Sequence, residues 1–117
     1  MAMNPTPSVD PDGPVYRIDK FDVPAESLNE FMDRVRRIQH HLGTLAGCSQ
    51  NLVLAQTSGP GRFNVLTFVE WANSRAMTNA RTLVQEHYQH EGFDPEAFMA
   101  ALGVQADLGV YTPAIAS

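Results

Sequence analysis

Cysteine is almost absent from this chain of 117 residues, where Cys48 stands alone. One thiol closes no internal disulfide and builds no thiolate metal site. Cys48 has neither a basic neighbour nor a helix start beside it to lower its pKa, so it carries no redox signal and is expected as a small buried hydrophobe at the start of a strand. Basic residues are also few, eight Lys plus Arg against thirteen Asp plus Glu for a formal net charge of −5, and they form no block. A nucleic-acid backbone needs a clustered positive face, so that class of partner is not expected. No apolar run approaches the roughly 18 to 20 residues that cross a bilayer. The first residues lack the basic-then-apolar layout of a secretory signal. The expected setting is therefore cytoplasmic, away from membranes.

What is present fits one compact domain, with 44% apolar and 18% charged residues. Residues 1–13, MAMNPTPSVDPDG, hold three prolines and little apolar surface and are expected as a disordered tail, with the domain over 14–117. Val15 to Phe21 reads as a first strand in which Arg17 and Asp19 share a face. A helix follows, with Pro24 in its first turn, Ser27 and Glu30 as a capping box, and Leu28, Phe31, Met32, Val35, Ile38 and Leu42 at helical spacing up to Gly43. Arg34, Arg36 and Arg37 fall mostly off that stripe. His40 and His41 suit the helix C-terminus, where a charged imidazole meets the negative end of the dipole.

Asn51 to Gln56 predicts a second strand, and Ser58-Gly59-Pro60-Gly61 turns the chain into a third over Phe63 to Trp71. A second helix starts near Asn73 or Ser74, carries Ala76, Met77, Ala80, Leu83, Val84, His87 and Tyr88 on one stripe, and stops at Gly92. Asp94 and Pro95 open a short third helix that ends at Gly103, and Leu108 to Thr112 forms the last strand, in which Gly109 marks a bulge or a close approach. The order strand, helix, strand, strand, helix, helix, strand predicts an α+β, ferredoxin-like βαββαβ fold with a four-stranded antiparallel sheet. The third strand carries bulky apolar groups on both faces, Val65, Val69 and Trp71 on one and Leu66 and Phe68 on the other. The helices of so small a chain cover one face, so the other predicts a second copy of the chain.

The Leu45-Ala46-Gly47-Cys48 turn after the first helix, and the Phe68-Val69-Glu70-Trp71 strand end followed by an Ala76-Met77 helix, resemble the antibiotic biosynthesis monooxygenase-like family over about residues 14 to 113. The resemblance implies a homodimeric α+β barrel in which two four-stranded sheets face each other. For some members it further implies oxidation of phenolic, quinol or polyketide-like aromatics by dioxygen, with neither metal nor flavin. Trp71 matches the family tryptophan at the end of the third strand. Asp19 falls near the asparagine of haem-degrading relatives. Ala80 or Arg81 stands where many members carry histidine, and an arginine is no axial ligand to iron, so haem degradation is not expected.

The candidate catalytic residues are His87, as acceptor of a phenolic proton, and Trp71, as the stacking surface. Each also has a purely structural reading, His87 as a satisfied core histidine and Trp71 as the end of the core. Arg81 and Tyr88 could hold a ligand oxygen, and Asp19 and Thr67 complete the candidate substrate-binding set. His87 and His90 lack a third ligand in sequence, so no metal is expected. Gly59-Pro60-Gly61 precedes a strand and cradles no phosphate, so no cofactor is expected either. The sequence thus supports a cofactor-independent monooxygenase acting as a homodimer on a small planar aromatic molecule. Its rival is a non-catalytic dimeric module that binds a small molecule or stabilises a partner.

Overall fold

The computed structural model of the chain describes residues 12–115; the segment read as a tail lies outside them except for Asp12 and Gly13. The elements are β1 (Val15–Asp22), a single 3₁₀ turn (Ala25–Ser27), α1 (Leu28–Gly43), β2 (Cys48–Ala55), β3 (Val65–Trp71), α2 (Ser74–Glu91), α3 (Pro95–Leu102) and β4 (Gln105–Tyr111). The strands form one antiparallel sheet in the order β2-β3-β1-β4, which is the ferredoxin-like topology. Among the described residues no helix is long and apolar enough to cross a membrane.

Local chemistry explains most of the boundaries. The Asn73 side chain accepts the Ala76 N–H at the start of α2, and Asp94 accepts those of Glu96 and Ala97 at the start of α3, where Pro95 takes the first helical position. The capping box expected of Ser27 does not form. The 3₁₀ turn leaves Ser27 near helical dihedrals (φ −102, ψ −4) instead of the extended ones a cap requires, and its hydroxyl donates to the Leu102 carbonyl at 2.8 Å, tying α1 to the end of α3. Cys48 does begin a strand, but it is half-buried at the edge of the core, beside a register shift between Cys48 and Gln50. Gly109 forms no bulge. The Tyr111 ring folds back over it, and a Cβ there would lie 2.7 Å from that ring.

Both helices of the second half pack with α1 on one face of the sheet. The row facing them runs Val15, Arg17, Asp19, Phe21 on β1, opposite Trp71, Val69, Thr67, Val65 on β3. The apolar members of this row divide the core in two. Phe21, Val23, Phe31, Val35, Val65 and Val104 form one cluster, and Val15, Val69, Trp71 and Ala80 form the other. Arg17, Asp19 and Thr67 occupy the middle of the row, where polar groups hold the two clusters apart. The opposite face of the sheet carries Tyr16, Ile18, Leu52, Leu54, Leu66 and Phe68, with Tyr16 and Phe68 in ring contact at 5.6 Å, and no helix among the described residues lies over it.

Candidate functional site

The interruption of the core opens into a cleft of about 840 Å³, floored by β1 and β3, walled by α1 and α2, and closed at one end by Phe98 and Met99 of α3. That volume lies within the range of small-molecule sites, and so does its composition, mostly apolar with a few polar groups. Trp71, buried to 3% exposure, closes the floor at the other end. Of the candidate residues read from sequence, Trp71, Thr67, Asp19, Arg81 and Tyr88 all line this one cleft.

The polar centre of the floor is an ion pair. Arg17 Nε donates to Asp19 Oδ1 at 2.7 Å, with the two side chains 32% and 16% exposed. Burial pushes the Asp19 carboxyl above the usual carboxylate range, outweighing the downward pull of the Arg17 hydrogen bond and charge and of the Gly109 amide. Thr67 lies directly across from Asp19 in the β1–β3 register, and its hydroxyl has no hydrogen-bond partner among the described residues. On the opposite wall Tyr88 is half-buried, its phenol pushed up mainly by burial. Arg81 is exposed at the rim.

His87 is elsewhere. Its ring stacks on that of His41 at 4.4 Å between centroids, and its Nε2 lies 3.7 Å from Glu91 Oε1, in a separate hollow of about 110 Å³ between α1 and α2. The cause is the geometry of α2. Met77, Ala80, Arg81, Val84 and Tyr88 repeat at helical spacing along the cleft, whereas His87 and Glu91, four residues apart, lie on a neighbouring line that meets α1. Reading all of them as one stripe facing the sheet places His87 about a quarter-turn from its position. None of the four histidines lines the cleft. Among the described residues no group of three or more potential metal ligands gathers anywhere.

Two cleft residues escaped the sequence reading. Arg34 is 7% exposed, pairs through both terminal nitrogens with Glu91 (2.7 and 3.3 Å), and lays its guanidinium over the Phe93 ring at 3.4 Å. This pairing holds the Glu91 carboxyl below its ordinary range. Gln39 is buried on the same helix, donates to Asn51 Oδ1 at 2.5 Å, and accepts the Asn51 amide on its backbone carbonyl. Arg34 stands three residues after Phe31 and four before Ile38, a helical spacing that marks it as part of the inward face.

No protein-family model matches the chain, and no curated protein matches it in sequence. Solved structures do. A candidate antibiotic biosynthesis monooxygenase from Deinococcus radiodurans superposes with a TM-score of 0.65 at 21% identity, covering 88% of this chain and 95% of that one. SnoaB, a cofactor-independent oxygenase from Streptomyces nogalater, gives 0.62 at 21% identity, with 86% and 92% covered. A haem-degrading protein from Mycobacterium tuberculosis gives 0.52 at 20% identity over only 58% of this chain and 77% of its own. At such identities the likeness establishes the fold, a ferredoxin-like α+β domain shared over most of the chain with structures of the antibiotic biosynthesis monooxygenase kind.

Proposed function

We propose that this protein is a cofactor-independent monooxygenase that oxidises a planar phenolic, quinol or polyketide-like aromatic with dioxygen, working as a homodimer. The observation that carries the reading is the cleft itself, a largely apolar slot large enough for fused rings with the Arg17–Asp19 ion pair on its floor. A substrate ring lies in the slot between the sheet and α2, toward the end that the buried Trp71 closes. The proton acceptor is Asp19 and not His87, because Asp19 is the cleft residue whose burial makes its carboxylate more basic than an ordinary one. Tyr88 and Arg81, across the cleft, hold the substrate oxygen on which negative charge develops.

The chemistry closes without an external reductant. Asp19 removes a proton from a ring methylene activated by flanking aryl and carbonyl groups. The carbanion gives one electron to dioxygen, and the resulting radical pair joins as a peroxide. Loss of water leaves a carbonyl carbon, so that CH₂ plus O₂ becomes C=O plus H₂O. The four electrons that reduce dioxygen all come from the carbon. A haem reading loses support from the absence of any histidine in the cleft.

Oxygen uptake with a panel of anthrones and quinols tests the reading. Asp19→Asn is expected to lower kcat by about 10² or more, the usual contribution of a positioned base, while His87→Ala leaves it unchanged. Uptake no faster than the uncatalysed rate across the panel points to the non-catalytic binding module. Asp19→Asn with full activity removes Asp19 as the acceptor.

A further inference from the structure

Arg17 and Arg34 both line the cleft, but their charges are not equally satisfied. Arg34 has a bidentate carboxylate partner in Glu91 and an aromatic ring beneath it, and of its nitrogens only the buried Nε lacks a partner among the described residues. Arg17 uses only Nε, on Asp19 Oδ1. Its two terminal nitrogens, with four N–H groups, have no partner among the described residues, although the side chain is two-thirds buried in a row whose β3 and β4 neighbours are Val69 and Val110. The side chain keeps about a third of its surface open at the cleft, so water serves these groups until a ligand enters with an acceptor that replaces it. The acceptor that matches two parallel N–H groups is a planar, forked anion.

We propose that Arg17 anchors a carboxylate on the ligand, and that the aromatic substrates of this cleft are ring systems bearing a carboxylic acid. The inference rests on the reading of the cleft as an aromatic site and narrows it. The Nε contact with Asp19 fixes the guanidinium plane, so the terminal nitrogens are presented in a set direction before any ligand arrives. A carboxylate held there lies beside Asp19, so the ring carbon that Asp19 deprotonates is one near the acid group. Arg17 is in this sense a specificity-determining residue as well as the partner of the base.

The test is isothermal titration of the full chain with an isosteric pair, naphthalene-2-carboxylate and naphthalene-2-carboxamide, near neutral pH. The carboxylate is expected to bind at least about tenfold more tightly than the amide. Arg17→Met is expected to abolish that preference while changing the amide's Kd by less than about threefold, and Arg17→Lys, which keeps the charge but loses the fork, to restore part of it. If Arg17→Met unfolds because Asp19 is left unpaired, the double variant Arg17→Met with Asp19→Asn carries the same comparison. Equal affinity for the two compounds in the wild type overturns the proposal, as does a preference that survives in the methionine variant. Amide binding without a carboxylate preference sinks the anchor alone and leaves the aromatic cleft standing. Binding of neither compound removes both.

Discussion

The face of the sheet turned away from the helices sets up a sharp contrast between what a substitution does to one chain and what it does to two. Leu54 lies on that face opposite Leu66 and is 48% exposed in the single chain; its neighbour Leu52 is nearly as open. In the isolated chain Leu54→Asp therefore replaces a half-exposed side chain, and the unfolding free energy should change by no more than about 1 kcal/mol. If a second sheet covers this face, the same change acts twice. Each leucine forfeits the burial of about half a side chain, roughly 1 kcal/mol, and the pair about 2 kcal/mol, or a factor of roughly 30 in the dissociation constant. Two carboxylates facing an apolar layer add several kcal/mol more. The total exceeds about 4 kcal/mol, a loss of at least 10³-fold in dimer affinity.

Sedimentation equilibrium reads the association, and urea unfolding at two protein concentrations separates it from the stability of the fold. The expected result is a wild-type dimer at micromolar concentration with a concentration-dependent midpoint, and a Leu54→Asp monomer whose midpoint does not depend on concentration. A wild type that sediments as a folded single chain across that range refutes the reasoning, because the apolar face would then be stable in water uncovered.

Two further outcomes follow from other parts of the fold. Gly47 has φ +88, and a Cβ built there lies 2.4 Å from the Ala76 methyl at the start of α2. Gly47→Ala combines backbone strain with a collision against a helix and should cost about 3 kcal/mol or more in chemical denaturation; a cost below about 1 kcal/mol would show that the α1–β2 turn and α2 separate easily. The Glu91 carboxyl is held low, chiefly by Arg34, so the folded chain binds that proton less readily than the unfolded chain. Its stabilisation is fully present above the ordinary glutamate value of 4.5 and is lost as the pH falls through the lower folded value. Wild type should therefore lose more stability than Glu91→Gln on acidification from about pH 6 to pH 3, measured by denaturant midpoints; parallel curves would show that the ion pair contributes nothing. Asp19, raised by burial, acts with the opposite sign and destabilises as the pH climbs past the ordinary aspartate value of 3.8, which flattens the wild-type curve without altering the difference between the two proteins.

The topology is legible in the sequence because its punctuation is chemically strong. Asn73, Asp94 with Pro95, and the glycines at 92 and 103 each satisfy or release a specific backbone group at a helix end, whatever the rest of the chain does. Strand edges are less legible. The alternation of β2 reads cleanly only from Asn51, because the register shift between Cys48 and Gln50 inserts a residue that breaks the period of two. β4 begins at Gln105, three residues before its first large apolar side chain at Leu108, since an edge strand that stays largely exposed needs no apolar signal to form.

The site divides along the same physical line. Trp71, Thr67 and Asp19 are recoverable because strand parity puts them on one face, and a period of exactly two leaves little angular error. Helical residues carry more. On α2 the cleft-facing and α1-facing lines are close enough in angle for an apolar stripe to merge them, and only the packing partner tells His87 from Tyr88. Arg34 is harder still. Its burial depends on Glu91, 57 residues away, and on Phe93, and no local pattern reports a pairing across that distance. A more general signal was nevertheless present in β1. A row that runs apolar, Arg, Asp, apolar down the covered face of a central strand costs the fold two desolvated charges where valines would pack. A buried ion pair of this kind stabilises little, and hydrophobic residues of similar volume at both positions would join the two halves of the core. The presence of Arg17 and Asp19 is therefore better explained by what the gap between those halves admits than by the stability of the sheet that carries them.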